Sequence, residues 1–138
     1  MKNLIIALCI FAVTLAGIIV TDIIMKNNAD EILVLCDKLI EETQNNDWDK
    51  INSAYESVNS KWKDSRQLLF FVLNHTDIDN VDFALNELKC AINEKDSSHI
   101  KNYAQNLKFY VDEYRARSFI TGKHIYVIKP GITLPAEA

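Results

Sequence analysis

The sequence predicts an all-α protein: an N-terminal transmembrane helix continuing into an antiparallel up-and-down bundle of about four helices, with an extended C-terminal tail. Three observations carry this. Leu4 to Val20 is an uninterrupted apolar run without a charge. Behind it, apolar residues recur at alternating steps of three and four, the period of helices with one buried face. Only three Gly and two Pro occur in 138 residues, far from the composition of a turn-rich β protein. The chain divides into an anchor over 1–26, a bundle over 27–120 and a tail over 121–138.

The apolar run extends past Asp22 through Ile23, Ile24 and Met25. A helix from Leu4 to Met25 rises about 1.5 Å per residue, or roughly 33 Å, against a hydrocarbon core of about 30 Å. A secretory signal has a shorter apolar core and a small-x-small cleavage site. Thr21-Asp22-Ile23-Ile24-Met25-Lys26 lacks that pair, so we read an uncleaved single-pass anchor through residues 4–25, with Asp22 near its far boundary. Lys2 and the amino terminus compete with Lys26 for the cytoplasmic side. We place the amino terminus in the cytoplasm and the bundle outside the cell membrane. A buried core helix fits less well, because the run is apolar all round.

From Ala29 the stripe is Ile32, Leu35, Leu39 and Thr43, with Cys36 and Ile40 beside it. No breaker separates Met25 from Ile32, so the anchor is expected to run on into this first bundle helix. Asn45-Asn46-Asp47 ends it, and Asp47 caps the next. The second helix carries Trp48, Ile51, Tyr55, Val58, Trp62, Ser65, Leu69 and Val72 inward. It ends in Leu68-Leu69-Phe70-Phe71-Val72-Leu73, apolar on every side and so expected to be buried centrally or to touch a partner or lipid. The third helix follows Asn74-His75-Thr76, with Thr76 or Asp77 as cap, Asp79 in its first turn and Ile78, Val81, Leu85, Leu88 and Ile92 inward. The fourth starts at Asp96 or Ser97 and turns in Ile100, Tyr103, Leu107, Tyr110 or Val111, and Tyr114. Links of a few residues make successive helices antiparallel neighbours. Past Ser118 the β-prone text, with Gly122, Pro130 and Gly131, reads as an extended strap over the bundle, which could also pair with a partner's sheet edge.

Composition excludes more than it selects. The chain has 15 Lys and Arg against 19 Asp and Glu, with no basic cluster to displace phosphate counterions, so we expect no nucleic-acid partner. Acidity is densest from Asp30 to Asp49, where seven acids face only Lys38; we read a solvated helix face. Cys9, Cys36 and Cys90 form no CxxC sequence, and a disulfide-stapled domain would carry more cysteines at closer spacing.

Each candidate constellation has a structural explanation. Trp48, Tyr55 and Trp62 stand seven residues apart and could stack a flat ligand, but aromatics at that spacing more often fill a core. His75 with Asp77, Asp79 and Asp82 suggests a metal cluster, yet a calcium loop needs a Gly at its bend and a terminal Glu, and capping accounts for the acids. His75 is expected to hydrogen-bond a helix end. Asp96-Ser97-Ser98-His99 resembles a carboxylate-histidine pair of a di-iron bundle only loosely. No Gly-x-Ser-x-Gly elbow and no phosphate loop occur. We therefore expect no enzyme, no catalytic residues, no metal and no cofactor. The residues singled out as a partner or ligand surface are Trp48, Tyr55, Trp62, Phe70, Phe71 and His75.

The order of features, with Trp62, His75-x-Asp77-Ile78-Asp79, the leucines up to Ile92, and Phe119-x-x-x-x-His124-Ile125-Tyr126, resembles the family known as domain of unknown function 4363, small membrane proteins of low-GC Gram-positive bacteria. The resemblance implies a single-span protein with a helical domain, acting as an accessory to a membrane partner similar to the YetF proteins. It supplies no catalytic residues. The expected function is an extracytoplasmic, membrane-anchored interaction or accessory subunit; the alternative is a ligand-sensing helical domain that signals through a partner.

Overall fold

A computed structural model describes residues 1–117. The expected tail over 121–138, the last bundle residues 118–120 and the Phe119 to Tyr126 motif lie outside the described residues. Four helices follow one another: α1 (Lys2–Gln44), α2 (Trp48–Leu69), α3 (His75–Asn93) and α4 (Ser97–Ala116). α1 packs against α2 and α4, and α3 packs against α4; α2 and α3 meet more sparsely. The short links make each helix antiparallel to the next, closing an up-and-down ring.

α1 is one unbroken helix of 43 residues. Its buried positions are Asp22, Met25, Ala29, Ile32, Cys36, Leu39 and Thr43, a stripe of alternating threes and fours that starts at Asp22 and runs to the helix end. Cys36 sits in that stripe and Leu35 beside it, the reverse of the sequence reading. Leucine at 35 still covers part of the core edge, being half-buried. Before Asp22 the helix touches little: Leu4, Phe11 and Val13 are 70%, 65% and 73% exposed. This helix is long and apolar enough to cross a membrane, and none of its most apolar 18-residue window is buried.

α2 contributes Ile51, Ala54, Tyr55, Val58, Trp62, Ser65 and Leu69 to the core, with Trp48 half-buried at its start. The predicted stripe is correct up to Leu69 and fails at Val72, because the helix stops at Leu69 and Val72 lies in the turn beyond it, exposed. In α4 the inward residues are Ile100, Ala104, Leu107, Val111 and Tyr114. Ala104 takes the place expected for Tyr103, and Val111 settles the choice against Tyr110. Both tyrosines are half-buried against the core's edge, where a ring can stay apolar on one side and keep its hydroxyl wet.

The two turns at the far end, away from the exposed half of α1, are built alike. Asn46 and Lys95 take left-handed backbone with φ of 54° and 56°, and each is followed by an aspartate cap. Asp47 accepts from the Lys50 amide at 3.2 Å; Asp96 accepts from Ser98 and His99 amides at 3.0 Å each. These side chains satisfy amides that the first helical turn leaves unpaired. Ser97 Oγ donates to Asn46 Oδ1 at 3.2 Å, tying the two turns together.

Candidate functional site

Two regions hold the residues of interest: the gap between α2 and α3, and the near end of the bundle, where the exposed half of α1 leaves it.

In the gap, Tyr55 and Trp62 are 5% and 1% exposed, and both are core residues with a satisfied polar tip. The Trp62 indole Nε1 donates to Asp82 Oδ1 at 2.6 Å; the Tyr55 hydroxyl donates to the Leu85 carbonyl at 3.3 Å. The Trp62 ring lies 6.4 Å from that of Tyr114. Trp48 is not brought into this group. It sits at the far end with Lys95 Nζ 5.9 Å from its ring centroid.

Asp82 is the residue that sequence reasoning placed wrongly. It lies inside α3 and caps nothing: it accepts from the Trp62 indole and from Arg66, whose Nε lies 2.9 Å from Oδ2. Asp77 is likewise engaged, by Arg117 of α4. Among the described residues no three His, Cys, Asp or Glu side chains are gathered as for a metal ion. The cap of α3 is Asn74, accepting from the Thr76 amide at 3.3 Å, and neither Thr76 nor Asp77. Asp77 is the acid of the first turn, where the helix dipole favours negative charge, and Asp79 lies further along. His75 does not cap either: its ring packs edge-on to Phe70 at 4.8 Å.

At the near end, Phe70, Phe71 and Val72 form the α2–α3 turn and are 47%, 85% and 45% exposed. Only Leu69 of the apolar block is fully buried, with Leu73 packed at the core edge. Beside the turn lies a cleft of about 690 Å³, lined by Thr14, Gly17 and Ile18 of α1 on one wall and Phe71 and Val72 on the other. Asp22, Asp77 and Arg117 also line it, and Asp22 is 4% exposed. The carboxylate is thus turned toward the bundle end, away from the outer face of α1.

The acidic stretch of α1 is the solvated face expected of it, with the side chains of Asp30, Glu31 and Asp37 exposed by 43%, 59% and 62%. The sequence did not show that cations from α2 and α4 meet it: Asp30 pairs with Arg115 at 2.6 Å, Glu31 with Lys61 and Asp37 with Lys108. All three cysteines are free. Cys36 is buried, and desolvation pushes its thiol up to about 12, which leaves it inert as a nucleophile; Cys90 is exposed.

The model of the family described as domain of unknown function (DUF4363) matches residues 19–121. The chain belongs to that family. The DUF4363 match begins at Ile19, one turn before burial starts at Asp22, so it takes in the whole buried stripe of α1 together with α2, α3 and α4. Most of the exposed apolar run precedes it. No curated protein and no solved structure matches the chain.

Proposed function

We propose that the protein is a single-pass, membrane-anchored accessory subunit whose helical bundle stands outside the cytoplasmic membrane and docks beside another membrane protein. The observation that supports this best is the division of one helix into two surfaces. The first half of α1 is apolar and exposed all round, and its second half is a wall of the bundle. Apolar surface of this extent is costly in water at about 25 cal/mol per Å², and a bilayer removes it. Because no loop intervenes, a partner that fixes the span also fixes the bundle.

Topology is read by a membrane-impermeant maleimide on intact cells. Cys90 is exposed and labels if the bundle is outside; protection of Cys90 until the cells are opened reverses the orientation. Cys36 stays unlabelled while the bundle is folded, which makes it an internal control. The accessory role is read from the full chain purified in mild detergent. A second membrane polypeptide in fixed stoichiometry is expected, and a chain that is always alone overturns the role.

The alternative, ligand sensing, draws on a shallow groove of about 450 Å³ between α2 and α3, where edges of Tyr55 and Trp62 stand beside Lys63, Arg66 and Asp82. A thermal-shift screen of the full chain against metabolites and wall fragments that yields no stabilisation removes it.

A further inference from the structure

We propose that the α2–α3 turn, Phe70-Phe71-Val72, is a second membrane contact that inserts into the lipid leaflet nearest the bundle, alongside α1. The inference rests on the anchored reading above and goes beyond it, because one helix alone would leave the tilt of the bundle against the membrane plane unset.

Turns carry polar residues and Gly because their backbone faces water. The far-end turns obey this, as Asn45-Asn46-Asp47 and Glu94-Lys95-Asp96. The near-end turn breaks it with three consecutive large apolar residues, the middle one 85% exposed. Helix geometry does not demand this, since Asn74 supplies the cap of α3 by itself.

The position of the turn decides what covers it. Phe71 and Val72 share a cleft with Thr14, Gly17 and Ile18, which belong to the exposed apolar run. Thr14 lies eight residues before the first buried position, or about 12 Å back along the helix. The turn therefore reaches down beside the span, and when that run sits in hydrocarbon the ring of Phe71 sits at or just under its boundary. Polar groups follow immediately on the bundle side: exposed His75, the Asp77–Arg117 pair and the Arg66–Asp82 pair. Apolar tip below and paired charges above is the order of an interfacial anchor, in which an aromatic ring enters the acyl boundary while polar groups remain at headgroup level. The occupant is lipid acyl chain, continuous with the lipid around α1. Two contacts set the tilt of α1 and the depth of the bundle, and so the height at which its helices meet a neighbour in the membrane.

The test uses the full chain in vesicles of phosphatidylcholine and phosphatidylglycerol, with bromine placed either shallow or deep on the acyl chains to quench tryptophan. Phe71→Trp reports the turn and Phe11→Trp the middle of the run; the unsubstituted chain gives the background of Trp48 and Trp62. Both positions are exposed, and far-UV circular dichroism verifies that each variant keeps its helix content. The added emission of Phe71→Trp is expected to be blue-shifted, to lose most of its intensity with shallow bromine, and to resist aqueous iodide. Phe11→Trp is expected to respond more to deep bromine. If Phe11→Trp is quenched by lipid and Phe71→Trp only by iodide, the turn lies in water and this proposal falls while the anchor stands. If neither responds to bromine, the anchored reading fails first. A blue-shifted Phe71→Trp quenched by neither reagent means that protein, a second copy or a partner, covers the turn, and overturns lipid as the occupant.

Discussion

The two ends of the bundle solve the same problem, reversing a helix within a few residues, by opposite chemistry. The far end uses two polar turns with left-handed Asn46 and Lys95, aspartate caps and the Ser97–Asn46 bond that joins them. At the near end there is one described turn, it is apolar, and its neighbours are the His75 ring, packed on Phe70, and the exposed run of α1. A helix pair can be closed by hydrogen bonds where water is present to take the remaining polar groups. If lipid replaces water at the near end, as we propose, apolar side chains suit the turn and its polar atoms are left to local backbone bonds, such as Leu73 N–H to Leu69 O at 2.7 Å.

If packing governs the near half and hydrogen bonding the far end, substitutions should separate in size. Trp62→Ala is expected to have the largest effect, a loss of about 3–5 kcal/mol typical of a buried aromatic, measured by urea unfolding of the full chain in mild detergent. A loss under about 1 kcal/mol would mean that the column faces an open groove. Second, a chain started at residue 27 forfeits Met25, which is 4% exposed. It should be less stable than one started at Thr21 by about 1.5–3 kcal/mol, and equal stability would show that the bundle closes above Met25.

Asp82 sharpens the comparison further. Asp82→Ala leaves a buried indole N–H without an acceptor, costing about 1–3 kcal/mol; Asp82→Asn keeps an acceptor oxygen and should recover most of it. Recovery of nothing would assign the cost to the Arg66 pair. At the far end, Ser97→Ala removes one exposed hydrogen bond and should stay within about 0.5 kcal/mol.

The smallest expected effect is the pH response of the α4 cap. Asp96 is held below its ordinary 3.8, first by the His99 amide, so its contribution is present above 3.8 and is lost as pH falls through the lower folded value. His99 is held above its ordinary 6.5 by its hydrogen bond to Asp96, at 2.6 Å. Its contribution is complete below 6.5 and is lost as pH rises through the raised value. The cap is therefore strongest between about pH 4 and 6.5, and protection of the Ile100 amide from exchange, relative to its intrinsic rate at each pH, should be greatest there. His99→Gln should flatten the alkaline side only.

Much of this molecule was legible from spacing. The stripes of α2 and α3, the Asp47 cap and the unbroken passage from Met25 to Ile32 follow from local rules, because helix period and capping act within a few residues of chain. The errors fall where two neighbouring residues compete for one place and only the facing helix chooses. Cys36 over Leu35, Ala104 over Tyr103 and Asn74 over Thr76 are of this kind: the gain depends on the volume opposite or on the angle at which the chain enters the turn.

The candidate site was legible as residues and illegible as a place. Phe70, Phe71 and His75 stood out by their chemistry, but nothing in the order of residues sets the turn beside Thr14 to Ile18, more than fifty positions away. Trp48 shares the heptad spacing of Tyr55 and Trp62 yet ends up outside their group, since a position at a helix start lies beyond the core.

By itself, then, the sequence determined the class of fold, the number of helices, their sense and the apolar helix that leads them, since burial, period and turn length are properties of short segments. Which acids would find partners was decided in three dimensions: Asp30, Glu31 and Asp37 face one lysine in sequence and meet Arg115, Lys61 and Lys108 in space. So was the placing of an apolar turn against an apolar helix. Both arise from helices lying side by side over their whole length, a relation that the order of residues along one chain does not contain.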